Sequence, residues 1–221
     1  MVQIRSMFPL LSEQPNEIYS SSQVILLDKS ETVSETYAEI KQKNGSEKIF
    51  RLSVFLTHKD QLLFSAPAGP DMNDEIDDLM FCAKVGFSII ETFGIQPIIG
   101  IISGGRAGDI GRNEKCDQTI RDAEILEKML AAESIPAKHY TILIEEAVKE
   151  ANFLILPDSL SGEMVLKTVA GVGEGREIGN ILLLKNADGS AFKEIFYIEQ
   201  LTKKAVWEDA EILKEALKHC R

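Results

Sequence analysis

Two stretches of this sequence join a short apolar run to a glycine-rich segment, and they constrain the fold more than any other feature. The apolar run 96–102 leads into Ser103–Arg112, and the apolar run Phe153–Leu156 leads towards Gly162. Eleven of the fifteen glycines fall within residues 94–111 and 162–179, so these two regions differ from the rest of the chain. Short continuous apolar runs bounded by turn residues are typical of strands buried on both faces, as in a parallel sheet.

Helical and strand patterns alternate along the chain. The clearest helix is Asp71–Phe93, whose apolar residues fall on one face at helical spacing. A hairpin is predicted from Ile49–Leu56 and Gln61–Ser65, because a short turn separates two strand-like segments. Alternating elements of this length predict an α/β fold with a mostly parallel, doubly wound sheet. The further predicted helices are Ser34–Lys43, Asp117–Ala132, Glu145–Glu150, Gly162–Val172 and Trp207–Cys220, and the further strands are Tyr140–Ile144, Asn180–Leu184 and Glu194–Ile198.

Composition and charge exclude several classes of protein. Apolar residues make up 44% of the chain, which is typical of a globular protein and not of a disordered one. With 24 basic and 35 acidic residues the net charge is -11, which disfavours a nucleic-acid partner. The sequence has no long apolar stretch and no secretory signal, so we expect no membrane insertion. Its three widely spaced cysteines form neither a metal-binding pattern nor a disulfide framework, which indicates a reducing, cytoplasmic location without a bound metal.

The segment Ser103–Arg112 is the first candidate site. It follows a predicted buried strand and precedes a helix, and such sheets bind ligands beyond the carboxyl ends of their strands. Glycines let backbone N–H groups approach an anion, and arginines add charge-assisted donors. The spacing matches neither a Walker loop nor a GxGxxG fingerprint. The predicted ligand-binding residues are Ser103, Gly104, Gly105, Arg106, Gly108 and Arg112; the alternative is a long turn whose arginines pair with Asp109, Glu114 or Asp117.

The second candidate site follows the strand Phe153–Leu156. Asp158 stands at the tip of this strand, and Ser161 and Gly162 come directly after it, so all three are predicted to contact a ligand. The alternative is that Asp158 and Ser161 only cap the next helix. Glu145 follows another predicted strand, and the carboxyl ends of parallel strands share one edge. We therefore expect Glu145 and Asp158 to lie together, facing the glycine-rich loop.

Nucleophilic serine chemistry is not supported by the pattern. No histidine has a readable pairing with Ser103, which argues against a Ser-His-Asp triad. The three histidines, His58, His139 and His219, share no ligand spacing with another histidine, a cysteine or an acid. We interpret each of them as solvated.

Several motifs together resemble a known archaeal family. They are Ser-Gly-Gly-Arg-x-Gly-Asp-x-Gly-Arg at 103–112, Ile-Leu-Ile-Glu-Glu-Ala at 142–147, and Ala-Asn-Phe-Leu-Ile-Leu-Pro-Asp-x-x-Ser-Gly-Glu at 151–163. The family is methanogenesis marker protein 4, also called methyltransferase-related subunit X. It is itself similar to phosphate acetyltransferases and phosphate butyryltransferases. The resemblance covers about residues 62–185 and is weak over 1–48.

The resemblance implies the isocitrate/isopropylmalate-dehydrogenase-like fold of the phosphotransacylases, with a shortened first lobe, and it suggests a homodimer. It divides the chain into a remnant lobe with the start of the hairpin, 1–60, and an α/β domain with the glycine-rich loop, 61–221. Glu145 stands where phosphotransacylases carry an aspartate, and Glu163 stands where they carry an asparagine. Both replacements depart from the pattern of an active acyltransferase.

Two functions are compatible with these residues. The first is a phosphotransacylase-like accessory or small-anion-binding protein, linked to the methyl-transfer metabolism of methanogens, with a methyltransferase complex as a candidate partner. The second is an active acyltransferase that uses acyl phosphate and coenzyme A. In this acyltransferase, Arg106 and Arg112 would neutralise the anion and the backbone amides of 103–108 would surround it. Glu145 or Asp158 would orient the ligand or exchange a proton with it. The shortened lobe favours the first function, and the glycine–arginine loop favours the second. Phosphate or coenzyme A is the expected ligand, and no permanent cofactor is predicted.

Overall fold

The computed structural model of the chain describes residues 23–27, 33–59, 61–69, 71, 75–189 and 191–199. The strands in this part are β1 (Gln23–Leu27), β2 (Lys48–Leu56), β3 (Leu62–Ala68), β4 (Ile99–Ile101), β5 (Ala137–His139), β6 (Phe153–Ile155), β7 (Arg176–Lys185) and β8 (Ala191–Glu199). The helices are α1 (Val33–Asn44), α2 (Ile76–Thr92), α3 (Glu114–Ala132), α4 (Ile144–Glu150) and α5 (Ser159–Gly171). None of these described helices combines the length and the apolar character that crossing a membrane requires.

The described strands form one sheet in the order β1-β8-β7-β2-β3-β6-β4-β5. Strands β3, β6, β4 and β5 run parallel to one another, and β1 runs parallel to β8. The antiparallel pairs are the predicted hairpin β2–β3 and the pairs that β7 makes with β2 and β8. Antiparallel neighbours need only a short turn, whereas parallel neighbours need a crossover. The predicted α/β fold with a mostly parallel sheet is confirmed, and its antiparallel pairs lie on one side.

Helices cover both faces of this sheet. Successive side chains of a strand point to opposite faces, and in β2 Phe50 and Leu52 pack with residues of α2 and α3. On the other face, Ile49 packs with α1, and Phe55 lies in the cluster that contains residues of α4 and α5. All four side chains are buried. Burial from both faces explains why this strand is so rich in apolar residues.

The predicted strand Tyr140–Ile144 is wrong in position. The strand that pairs with β4 is Ala137–His139, and Ile144 already begins α4. Thr141 has a φ of 58°, in the left-handed region, so the extended backbone cannot continue through it. The apolar character of the segment has a different cause, because Tyr140 is buried in the cluster beneath α4 and α5.

Helix α2 begins later than its predicted start at Asp71. The Asp71 carboxylate accepts the backbone N–H of Ile49 at 2.6 Å and pairs with Lys41 Nζ at 2.8 Å, so it ties α1 to the beginning of β2.

The predicted helix Trp207–Cys220 lies outside the described residues. The division of the chain at residue 60 stays a prediction, and the hairpin β2–β3 spans that position.

A fully buried carboxylate fixes the first turn of α2 on the sheet. Asp78 has no exposed surface, and its two oxygens pair with Lys48 Nζ at 2.8 Å and Lys185 Nζ at 2.6 Å. Lys48 opens β2 and Lys185 closes β7. Burying a carboxylate costs several kcal/mol, so it requires such partners. The two lysines therefore hold α2 against both strands at one edge of the sheet.

Candidate functional site

The parallel strands β6, β4 and β5 end at one edge of the sheet, and the predicted site residues follow those ends. Ser103–Arg112 follows β4, Asp158 follows β6, and Glu145 lies in the first turn of α4 beyond β5. The backbone N–H of Ser103 donates to the carbonyl of Thr141 at 2.8 Å, which joins the loops beyond β4 and β5. This edge is where doubly wound sheets bind ligands.

The glycine-rich loop is held by hydrogen bonds to its own residues and to α3. The N–H of Gly104 donates to Thr119 Oγ1 at 2.8 Å, and the N–H of Arg106 donates to Asp109 Oδ2 at 2.9 Å. Gly111, with a φ of 91°, donates its N–H to the carboxylate of Asp117 at 3.0 Å. Several amides of the loop thus already have partners, which leaves the side chains as the groups best able to meet an anion.

The two arginines of the loop have different surroundings. Arg112 pairs with the carboxylate of Asp109, as the alternative interpretation of this segment expected. Arg106 is exposed, and its guanidinium forms no ion pair within the part of the chain that the structure describes. Gly108, between the two, lies in the 3-10 turn Ala107–Asp109 and has open space beside its Cα. Arg106 is therefore the more available cation of the loop.

Ser103 and His139 are hydrogen-bonded, which the sequence did not predict. The Ser103 side chain is buried, and its Oγ lies 2.9 Å from His139 Nε2. Ser103 Oγ also donates to the carbonyl of Gly105 at 3.0 Å. Because the hydroxyl has a single proton, the Nε2–H tautomer of His139 is the one compatible with both hydrogen bonds. The interpretations that no histidine pairs with Ser103 and that His139 is solvated are wrong. His58, in an exposed turn, fits its interpretation, and His219 lies outside the described residues.

Burial lowers the pKa of His139 below its ordinary value, although Glu127 and Glu124 of α3 act in the opposite direction. The Glu127 carboxylate also accepts the backbone N–H of His139 at 2.8 Å. The strand register brings the pair together, because Ile101 of β4 lies beside His139 of β5, two residues before Ser103. The sequence signal is a histidine at the end of a strand, but it becomes informative only when the strand order is known.

Asp158 is both a helix cap and half of an ion pair. Its Oδ1 accepts the backbone N–H of Ser161 at 2.6 Å at the start of α5, and its Oδ2 lies 3.3 Å from Lys115 Nζ of α3. Burial raises the pKa of the Asp158 carboxyl, but the hydrogen bonds from Ser161 and the charge of Lys115 outweigh it and hold the pKa below its ordinary value. Asp158 therefore caps α5, as the alternative expected, its contact with a ligand stays a prediction, and Lys115 is a partner that the sequence pattern did not indicate.

Gly162 and Glu163 connect α5 to the hairpin. A Cβ at Gly162 would overlap the carbonyl oxygen of Pro67, so only glycine allows α5 to lie this close to β3. Glu163 pairs with Arg51 of β2. These two residues therefore have structural partners that account for their presence.

Glu145 is exposed in the first turn of α4. Because β4 lies between β5 and β6, the Ser103–Arg112 loop stands between the segment that carries Glu145 and the one that carries Asp158. A shared site of the two carboxylates stays a prediction. In the described part of the chain, no group of three or more histidine, cysteine, aspartate or glutamate residues is arranged to hold a metal ion.

Curated relatives match this chain, although no family model does. A protein named "Putative methyltransferase mtx subunit X" from Methanosarcina barkeri is 42% identical over 147 residues, which are 66% of this chain and 54% of that protein. The protein of the same name from Methanosarcina acetivorans is 38% identical over 151 residues, which are 68% of this chain and 54% of the relative. The chain spans about half the length of the curated relatives it matches.

Solved structures of phosphotransacylases resemble the fold. A branched-chain phosphotransacylase from Enterococcus faecalis matches with a TM-score of 0.60 at 12% identity. The match covers 90% of this chain and 74% of the Enterococcus chain. The EutD phosphotransacetylase from Staphylococcus aureus matches with a TM-score of 0.61 at 13% identity. The match covers 88% of this chain and 62% of the Staphylococcus chain. Likeness at such low identity concerns the fold alone. The chain thus has the phosphotransacylase-type fold and, over about two thirds of its length, is a homologue of the Mtx subunit X proteins of methanogenic archaea.

Proposed function

We propose that this chain is a phosphotransacylase-like protein that binds a small anion at the Ser103–Arg112 loop. The observation that carries the proposal is Arg106, an exposed guanidinium without an ion pair among the described residues, placed directly after two glycines. It lies beyond the carboxyl end of β4, in an otherwise acidic chain. A guanidinium in such a position matches the geometry of phosphate and carboxylate groups.

Two further cations follow Arg106 in the sequence, Arg112 at the end of the loop and Lys115 in the first turn of α3, and each is partly neutralised. Lys115 has a side chain that is 69% exposed and pairs with Asp158, while Arg112 pairs with Asp109. Both cations remain accessible to a ligand, but an anion has to compete with the carboxylate already present. Phosphate or the phosphate of an acyl phosphate or of coenzyme A is the ligand class that this arrangement favours.

The link to methyl-transfer metabolism rests on the relatives, which are named as subunits of a methyltransferase. We infer that the chain acts beside a methyltransferase, as an accessory subunit that binds a small anion. Homodimer formation is a separate part of the proposal and rests on the family resemblance. Light scattering of the purified chain at micromolar concentration, with and without phosphate, would test it.

Calorimetric titration with inorganic phosphate, sulfate and acetyl phosphate tests the anion site. A charge-assisted hydrogen bond is worth about 1.5–3 kcal/mol, so Arg106→Ala should weaken binding at least about tenfold. Arg112→Ala should have a smaller effect, because Arg112 is already paired with Asp109. Arg121→Ala is the matched control, since Arg121 is an exposed arginine of α3 whose guanidinium donates to Gln118 Oε1. Equal affinity in the wild type and Arg106→Ala would contradict the proposal.

The alternative is an active acyltransferase, and the charged carboxylate of Asp158 at the same edge favours it. In that reaction the sulfur of coenzyme A attacks the acyl carbon, a C–S bond forms, the C–O bond to phosphate breaks, and the thiol proton is lost. Incubation of the protein with acetyl phosphate and coenzyme A, followed by detection of the thioester, tests this alternative. Thioester formation that Asp158→Asn abolishes would support it, and its absence in a protein that binds phosphate would favour the accessory role.

A further inference from the structure

We propose that His139 is a positioning residue for the anion-binding loop: its Nε2–H holds the Ser103 hydroxyl, which holds the Gly105 carbonyl and thereby fixes how Arg106 leaves the turn. This inference rests on the proposed function, because Arg106 is the cation it positions. His139 lies in β5 and carries out this role from a strand next to the one that bears the loop.

The chain of hydrogen bonds is short and continuous. His139 Nε2 lies 2.9 Å from Ser103 Oγ, which lies 3.0 Å from the Gly105 carbonyl oxygen. The next residue is Arg106. The backbone N–H of Ser103 also bonds to Thr141 of the segment that follows His139, so the loop is attached to this segment twice. Ser103 is buried, which protects both of its hydrogen bonds from water.

Helix α3 restrains the same turn from the other side. A Cβ at Gly105 would overlap Cys116 Sγ, and a Cβ at Gly104 would lie 3.0 Å from Thr119 Oγ1. The glycines therefore pack closely against the first turns of α3, while Ser103 and His139 hold the strand side. A turn restrained on both sides keeps the backbone of Arg106 in one place, which lowers the entropic cost of binding a ligand.

The direction of the hydrogen bonds argues against Ser103 as a nucleophile. A general base has to accept the proton of the hydroxyl, whereas in the proposed arrangement that proton lies on the bond to Gly105 and the Nε2–H tautomer of His139 is the donor. Ser103 is also almost completely buried, at 1% exposure, so its Oγ is not presented to solvent in this arrangement of the loop. The charged groups that act on His139 are Glu127 and Glu124 of α3, and the Glu127 carboxylate bonds to the backbone N–H of His139 rather than to its imidazole. The geometry fits a positioning role and not a catalytic pair.

Phosphate affinity measured by calorimetry tests the role of His139. His139→Leu removes the donor and should weaken phosphate binding about five- to tenfold, as expected for one lost hydrogen bond. His139→Gln keeps an N–H donor on a side chain of similar reach and should restore most of the affinity. Ser103→Ala should have the effect of His139→Leu, and the double variant Ser103→Ala/His139→Leu should be no weaker than either single variant. His58→Leu, at an exposed turn, is the control and should bind as the wild type does.

A second measurement does not depend on anion binding. Cys116 Sγ lies against Gly105, so its rate of alkylation reports whether the turn stays in place. Cys220→Ser removes one of the three thiols for this measurement. Of the remaining two, Cys82 is buried and burial raises the pKa of its thiol, so Cys116 is the reactive thiol. His139→Leu should increase the alkylation rate severalfold, and His139→Gln should not.

The outcomes separate the two proposals. If the wild type binds no phosphate, the proposed function fails, while the Cys116 rates still decide the role of His139. The role of His139 is overturned if His139→Leu changes neither phosphate affinity nor the Cys116 rate. It is also overturned if His139→Gln lowers affinity and thermal stability as much as His139→Leu, because the histidine would then serve only as packing.

Discussion

Arg51 of β2 and Glu163 of α5 form an ion pair on the face of the sheet that α5 covers. The Arg51 side chain is 10% exposed and the Glu163 side chain 28%, so the pair is largely removed from water. Glu163 is the residue that replaces the asparagine expected from the phosphotransacylase pattern. The replacement therefore has a structural counterpart in the hairpin, and it joins α5 to β2 by charge.

Removal of one partner of this pair should destabilise the fold. Glu163→Gln leaves the guanidinium of Arg51 buried without a counter-charge. We expect a loss of about 3 kcal/mol in the free energy of unfolding, the low end for a buried pair, because the Glu163 side chain is 28% exposed. Urea unfolding at neutral pH measures the loss. The double variant Arg51→Met/Glu163→Leu should lose less, because no charge remains buried. Lys149→Met is the control: it breaks an exposed pair with Glu146 and should cost about 0.5 kcal/mol or less, so a Glu163→Gln effect of that size would contradict the prediction.

Two glycines of α5 should respond in opposite ways to alanine. A Cβ at Gly162 would overlap the carbonyl oxygen of Pro67, so Gly162→Ala should force α5 away from β3 at a cost of about 1–3 kcal/mol. A Cβ at Gly171, at the other end of the same helix, meets nothing within 4 Å. Gly171→Ala should therefore leave stability unchanged or raise it by up to about 1 kcal/mol. Thermal unfolding of the two variants checks the contrast, and equal effects would show that the contact with Pro67 does not constrain the helix.

The sequence predicts the elements better than it predicts their contacts. Local sequence patterns place α1, the hairpin β2–β3, and α3 to α5 within a few residues, and apolar periodicity marks the buried face of α3. The prediction fails at Tyr140–Ile144, where the apolar residues belong to a turn and to the start of a helix. An apolar run this short shows no periodicity that would distinguish a strand from a turn or a helix. The left-handed φ of Thr141 leaves no mark in the sequence.

The candidate site shows the same limit. The glycine-rich loop and Asp158 are found from the sequence because each directly follows a strand, and the chain itself supplies that order. Lys115, His139 and Arg51 are missed because each reaches its partner from a different element. Their pairing depends on the strand order β2-β3-β6-β4-β5, which local patterns do not specify.

Stability should depend on pH through His139. Burial lowers the pKa of His139 in the folded chain below its ordinary value of 6.5, so the unfolded chain binds a proton more readily. The free energy of unfolding should therefore fall as pH decreases below about 6.5 towards the folded pKa, and the contribution should be fully present above that range. Chemical unfolding of the wild type and His139→Gln from about pH 8 to about pH 5 measures the difference, in which the other titrating groups largely cancel. Parallel pH profiles of the two proteins would contradict a lowered pKa.

The contribution of Asp158 to the free energy of unfolding should change only in acid, below the pH range in which His139 titrates. The hydrogen bonds from Ser161 and the charge of Lys115 outweigh the opposing effect of burial and hold its pKa below 3.8, so the carboxylate contributes fully above that value and loses its contribution as pH falls through the folded pKa. Asp158→Asn keeps a side chain that caps helices well but removes the charge.

At neutral pH, Asp158→Asn should therefore be less stable than the wild type by about 1–2 kcal/mol, as expected for a charged hydrogen-bond acceptor. The difference should shrink in acid and vanish once the carboxyl of the wild type is protonated. Lys115→Met removes one of the groups that lower the pKa, so in its background the Asp158→Asn difference should be smaller and should disappear at a higher pH. Unfolding curves of all four proteins across the acid range provide the test. A difference that does not change with pH would mean that Asp158 acts only through its shape as a helix cap, and the carboxylate would then have no charge-dependent role at this edge of the sheet.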